Sequence, residues 1–163
     1  MADQNNLELT KRTYATLCAA LDERQWKYRR NDEEMALEYI VEGDDMPMRF
    51  VIRFDGERAL MRMFSPMPLS VREDKRLEVA VAVSMINYRL VVGCFDLDMN
   101  DGELRFRVSN SFRDSVLSPE VFLFLLSLGI QVVERYNDKL FMLATGVISL
   151  EKFIELIDAG RNG

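Results

Sequence analysis

Apolar and polar positions follow a helical period at the start of the chain and a period of two soon after. Tyr14, Leu17, Cys18 and Leu21 recur at i, i+3, i+4 and i+7, a single apolar stripe that predicts a first helix over residues 7–24. Trp26 and Tyr28 then alternate with Gln25 and Lys27. The polar group Asn31-Asp32-Glu33-Glu34 reads as a turn. Met35, Leu37, Tyr39 and Val41 form one alternating run, and Met48, Phe50, Ile52 and Phe54, set against Arg49 and Arg53, form another. Asp55-Gly56 signals a two-residue type I′ hairpin turn, followed by a strand through Leu60, Arg62 and Phe64. These connections are too short for parallel crossovers, so the four strands are expected to form an antiparallel meander.

Pro66 and Pro68 are expected to end that sheet segment. Ser70-Val71-Arg72-Glu73 fits a capping box, with Ser70 as N-cap and Glu73 reaching back, and predicts a second helix over residues 71–90. Residues 79–83 also alternate like a strand. A helix fits better, because no turn residue stands between Ser70 and Gly93. Strands follow at residues 94–98 and from Leu104 to Val108, joined by Asn100-Asp101-Gly102. Ser118-Pro119-Glu120 opens a long third helix, with Ser as N-cap and Pro at its first position. Gly146 stops it, and Ser149 caps a short last helix ending at Gly160. The order α-β-β-β-β-α-β-β-α-α, with strands and helices in blocks, predicts an α+β fold. An antiparallel sheet of about six strands would be covered on one face by helices, in a single domain over residues 1–163.

Composition removes whole classes of function. Among 163 residues there is no His, which excludes Ser–His and Cys–His catalysis, zincin motifs and every His-ligated metal site. Two Cys are too few for a disulfide framework or a Cys-based zinc site. Asp96-Leu97-Asp98-Met99-Asn100-Asp101-Gly102 begins like a calcium loop. It then places Asp101 where such a loop needs Gly, and Arg107 where it needs a bidentate Glu, so it reads as a hairpin turn. No glycine-rich phosphate loop occurs. Neither a cofactor nor a metal is expected, nor an enzyme. The formal charge of −6 points away from nucleic acid. The start of the chain is polar, and its most apolar run, residues 121–133, is too short to span a bilayer, which needs about 20 residues. A cytoplasmic protein without membrane contact is the expectation.

Two stretches suggest surfaces. Residues 79–85 are apolar at six of seven positions, and a helix apolar all round is covered on more than one side. Its second cover is either the third helix or a second subunit. The latter reading places Val79, Val83, Ile86 and Phe95 at a homodimer interface. Met61, Met63 and Met67 stand beside two prolines, and methionine-rich surfaces repack around varied apolar partners. If Leu60 and Phe64 face the helices, the methionines share the far face of the sheet with Arg49 and Arg53. That surface would suit an extended acidic–apolar segment of a protein partner. In the other reading Phe64 is core and the methionines fill gaps beneath the helices. The arginines alternate against the aromatics, so a small-molecule or anion sensor using an arginine-rich face is the alternative function.

Several strings, in order, resemble the YbjN family of bacterial sensory transduction regulators. They are Met85-Ile86-Asn87-Tyr88, then Gly93-Cys94-Phe95-Asp96-Leu97-Asp98, then Asp101-Gly102-Glu103-Leu104-Arg105-Phe106-Arg107, then Leu117-Ser118-Pro119-Glu120. The resemblance implies a fold like that of type III secretion chaperones, which work as dimers holding partner segments in extended form. It implies a small non-enzymatic protein of the bacterial cytoplasm, and it carries over no catalytic residue. Asn87 is read as structural, bonding backbone where the second helix turns into the fifth strand.

Overall fold

A computed structural model describes residues 2–159. Helix α1 (Ala2–Glu23) leads into strands β1 (Arg29–Asn31), β2 (Ala36–Val41), β3 (Met48–Asp55) and β4 (Leu60–Ser70). A 3-10 turn (Glu73–Lys75) precedes α2 (Arg76–Asn87). Strands β5 (Cys94–Leu97) and β6 (Glu103–Ser111) follow, then α3 (Pro119–Thr145) and α4 (Leu150–Ala159). The six strands form one antiparallel sheet in the order β1-β2-β3-β4-β6-β5. This is the expected α+β arrangement with the expected element order. The Gly160 end of the last helix lies outside the described residues.

Alternation decides which side of the sheet is core. Met48, Phe50, Ile52 and Phe54 of β3 are buried, as are Leu104, Phe106 and Val108 of β6. Tyr14, Leu17, Cys18 and Leu21 of α1 lie in the same cluster, with Phe122, Leu126, Val133 and Leu140 of α3. All four helices contribute buried side chains to this cluster, which is continuous with the inner face of the sheet. Ser118 caps α3 as expected, its hydroxyl accepting from the Val121 amide at 3.2 Å, and Gly146 ends it at φ 80°. The Ser149 hydroxyl accepts from the Lys152 amide at 3.2 Å.

Three local expectations are corrected. The β3–β4 connection is not a two-residue type I′ turn. The Asp55 carboxylate accepts the Glu57 and Arg58 amides, each at 3.1 Å, and the left-handed residue is Ala59, at φ 47°. An Asx turn has displaced the glycine-led one. The prolines do not end β4, which runs on to Ser70. Its pairing with β3 stops at Phe64, so Pro66 and Pro68 fall where β6 is its remaining partner, across a register shift. Consequently Ser70 is a strand residue whose hydroxyl donates to the Asp101 carbonyl. The capping box does not form, and α2 starts only at Arg76.

The β5–β6 hairpin is held tightly against the start of α2. Gly102 has φ 81°, and a Cβ there would lie 2.1 Å from the Val71 carbonyl oxygen. Val71 donates its amide to Gly102 at 2.8 Å. Asn87 does what its position suggests. Its side-chain amide donates to the Phe95 carbonyl at 2.9 Å and accepts the Phe95 amide at 2.8 Å. One side chain thus stands in for a neighbouring strand on the outer edge of β5.

Candidate functional site

Among the described residues no helix covers the outer face of the sheet, and the register makes its composition explicit. One cross-strand row reads Arg29, Glu38, Val51, Phe64, Arg107, Cys94, and the next reads Asn31, Ala36, Arg53, Arg62, Ser109. Arg49 lies opposite Ile40, and Arg105 opposite Asp96. Six arginines therefore share this face with Ile40, Val51, Phe64 and Pro66. A chain of net charge −6 has gathered a cationic and partly apolar surface on one side.

Carboxylates hold most of these arginines in place. Arg49 donates to Glu38 at 3.1 Å, and this bond holds the Glu38 carboxyl below its usual range. Arg107 grips Asp96 through Nε at 2.6 Å and Nη2 at 3.2 Å, while Arg105 approaches the same carboxylate at 3.6 Å. Desolvation alone would raise the Asp96 carboxyl, but the Arg107 bonds and charge outweigh it, and the group sits below its usual value. The Arg105 guanidinium lies 4.8 Å from the Phe64 ring centroid, a cation–π contact. Burial, then the Asp96 charge, push the Cys94 thiol up, so this cysteine is not a poised nucleophile. Among the described residues, no three His, Cys, Asp or Glu side chains gather as a metal site. No described helix is long and apolar enough to cross a membrane.

Of the residues picked out for partner binding, Arg49 and Arg53 are exposed on this face, as expected. The methionines are not. Met61 and Met63 are fully buried, and Met67 is buried beside them. The register explains why: Met61 lies opposite Phe54 and Met63 opposite Ile52, both core residues. The assumption that Phe64 faces the helices inverted the parity of β4. Arg29, Val51, Arg62, Phe64, Arg105 and Arg107 are outer-face residues absent from that expected set. The signal for them was available, since Arg53 facing outward in β3 forces its antiparallel partner outward too.

The expected dimer residues are corrected in the same way. Val79, Val83, Ile86 and Phe95 are all buried within the chain, so they offer no surface to a second copy. Helix α2 packs on β5, α3 and α4. Its outward positions are instead Leu77, Val81 and Ser84, followed by Tyr88, at 4-3-4 spacing. Leu77 is 75% exposed and Tyr88 94%. Residues 79–88 contain no charged side chain.

Two open clefts border these surfaces. One of about 660 Å³ runs along the β1 edge, lined by Trp26, Lys27, Arg29, Arg30, Glu38 and Ile40 among others. A second of about 1040 Å³ lies between the end of α2, α3 and α4, with Tyr88, Leu128, Arg135 and Leu156 in its wall.

A family model described as "Putative bacterial sensory transduction regulator" matches residues 13–142. The chain belongs to the YbjN family. Two solved structures share its fold. "Crystal structure of YbjN, a putative transcription regulator from E. coli" is 19% identical, with a TM-score of 0.57 over 77% of this chain and 91% of that one. "Crystal Structure of the ExsC-ExsE Complex" is 12% identical, with a TM-score of 0.52 over 79% and 93%. The family and the secretion-chaperone-like fold are those expected from the ordered strings around Asn87 and Gly102. No curated protein matches the chain.

Proposed function

We propose that this protein is a non-enzymatic, chaperone-like regulatory module of the bacterial cytoplasm that holds an extended acidic–apolar segment of a protein partner on the outer face of its sheet. The observation that carries this reading is the face itself. Six arginines surround Val51 and Phe64 on a surface that no described helix covers, in an otherwise acidic chain. Cationic groups set among apolar ones complement a segment of the opposite charge. Membership of a regulator family and a fold shared with one complex-forming protein support a binding role over a catalytic one. Asn87 closes the β5 edge at Phe95, leaving short β1 as the more open end of the sheet and the outer face as the larger platform.

The protein works as a homodimer through the outward stripe of α2. The 4-3-4 spacing of Leu77, Val81, Ser84 and Tyr88 lines up one exposed stripe, and a stripe without charge suits a second copy of itself. Light scattering should then give about twice the chain mass of 18.9 kDa, and Leu77→Glu with Tyr88→Glu should reduce it to one chain. A wild-type mass near 18.9 kDa at micromolar concentration refutes the dimer.

Partner capture is tested by affinity purification with mass spectrometry, comparing wild type with the Arg49→Glu, Val51→Glu double variant. A partner held by wild type and lost by a normally melting variant is the expected result. Equal capture by both moves the binding site elsewhere. The second reading, a small-molecule or anion sensor, draws on the cleft along β1, where Lys27, Arg29 and Arg30 outnumber Asp22 and Glu38.

A further inference from the structure

Within the outer face, two arginines stand directly opposite each other. Arg53 and Arg62 are directly opposed across β3 and β4. Directly opposed residues on one face have Cβ atoms about 5 Å apart, and like charges there destabilise a sheet. Arg49, Arg105 and Arg107 each have a carboxylate partner. Arg53 has no ion pair among the described residues. Arg62 reaches only Asp55, at 3.4 Å, and its Nε is buried without an acceptor.

Asp55 has little more to give. It already accepts two backbone amides at 3.1 Å and approaches Arg58 at 3.4 Å. Arg58 and Arg62 share this one carboxylate while Arg53, directly across from Arg62, has none, so the three guanidinium groups outnumber it by two charges. The side chains flanking the pair in its row are small: Ala36 beyond Arg53, and exposed Ser109 beyond Arg62, whose hydroxyl can donate. Arg53 and Ser109 are exposed, and the Arg62 side chain is open to solvent apart from its Nε.

We infer that Arg53 and Arg62 form a subsite for a phosphate-type dianion, with Ser109 at its rim. This rests on the binding role proposed for the outer face and names the group that anchors the ligand there. A carboxylate neutralises only half the excess. A phosphate monoester carries about −1.5 to −2 at neutral pH and presents three acceptor oxygens, enough for the exposed ends of both guanidiniums. Arginine pairs with phosphate in bidentate geometry, which two opposed side chains are placed to supply. The phosphate comes either from a modified side chain of the partner or from a free small molecule, and the same two arginines serve both.

Calorimetric titration with inorganic phosphate, at fixed ionic strength and neutral pH, tests the subsite on the isolated protein. Saturable binding is expected, weakened at least about tenfold by Arg53→Gln or Arg62→Gln, the loss expected for one charged hydrogen bond. Arg12→Gln, on the exposed face of α1, should bind as wild type does. In phosphate-free buffer Arg53→Gln should melt no lower than wild type, because it removes a repulsion, and phosphate should no longer raise its melting temperature. A second titration compares an acidic–apolar peptide carrying one phosphoserine with its unphosphorylated twin. Tighter binding of the phosphopeptide than of inorganic phosphate assigns the source to a modified partner. Binding of inorganic phosphate alone assigns it to a free anion. No saturation in wild type, or equal affinity in Arg53→Gln, overturns the subsite. Since no partner protein is present, such a failure leaves the capture experiment to judge the face as a whole.

Discussion

Replacing Asn87 with Leu removes both bonds by which α2 holds the edge of β5. The side-chain amide donates at 2.9 Å and accepts at 2.8 Å from the same residue, Phe95, whose ring is buried against Phe106 and Tyr136. Each lost bond contributes about 1 kcal/mol net, and a backbone group left unpaired in a buried setting adds to that. The sum is about 2–4 kcal/mol. For a chain of this size 1 kcal/mol moves the melting temperature by roughly 2–4 °C, so the variant should melt roughly 5–15 °C lower. Urea unfolding followed by circular dichroism gives the free energy. Hydrogen exchange gives the site, because the Phe95 amide should lose protection while β3 amides keep theirs. Asn87→Asp keeps an acceptor for the amide but turns an oxygen towards the Phe95 carbonyl, so it should be destabilised as well. A loss below about 0.5 kcal/mol, the scale of an ordinary surface change, with the Phe95 amide still protected, would refute the role given to Asn87.

The remaining predictions concern the core and its titrating groups. Met63→Ala should cost about 2–5 kcal/mol, the range for truncating a buried long side chain, and Met61→Glu with Met63→Glu should fail to fold; a stable double variant would return these methionines to the surface. Burial, and hydrogen bonds to Asp32 and Asp22, raise the phenols of Tyr14 and Tyr28 above their usual 10.0, and burial raises the Cys18 thiol above its usual 9.0. The folded chain keeps these protons where the unfolded chain loses them, so their contribution is intact below those values and declines as pH rises past 9.0 and then 10.0. Absorbance at the phenolate band should show Tyr14 and Tyr28 ionising only as the chain unfolds. All five tyrosines titrating together in a still-folded protein would contradict this.

Elements with a long period or a strong cap were legible from residue order alone. The α1 stripe, the Ser118-Pro119 start of α3 and its Gly146 stop needed only local chemistry, and the structure places each as expected. The failures came where two local signals competed. Ser70 is an able N-cap, but it also ends a strand whose partner, β6, lies far along the chain. Asp55-Gly56 is an able type I′ pair, but the Asp55 side chain takes the next two amides first. In both cases a hydrogen bond invisible in the sequence pattern outweighed one that the pattern advertises.

The sheet face turned on a subtler contest, between residue type and pairing. In β4 the alternation sets Met61, Met63, Ser65 and Met67 against Leu60, Arg62, Phe64 and Pro66. By residue type, the set with Leu and Phe reads as core. By company it does not, because Arg62 shares its parity, and a guanidinium among fully buried side chains would need a partner the inner face does not supply. The arginine is the stronger constraint. Desolvating it costs more than leaving one phenylalanine half exposed, and Phe64 recovers part of that exposure beneath Arg105. Methionine, flexible and unbranched, fills the uneven space left under α3, where Gly129 brings the helix backbone close to Met63, Phe50 and Phe106. The charged member of an alternating set therefore decides its face, and that one rule assigns Arg49, Arg53, Arg62, Arg105 and Arg107 to a single surface.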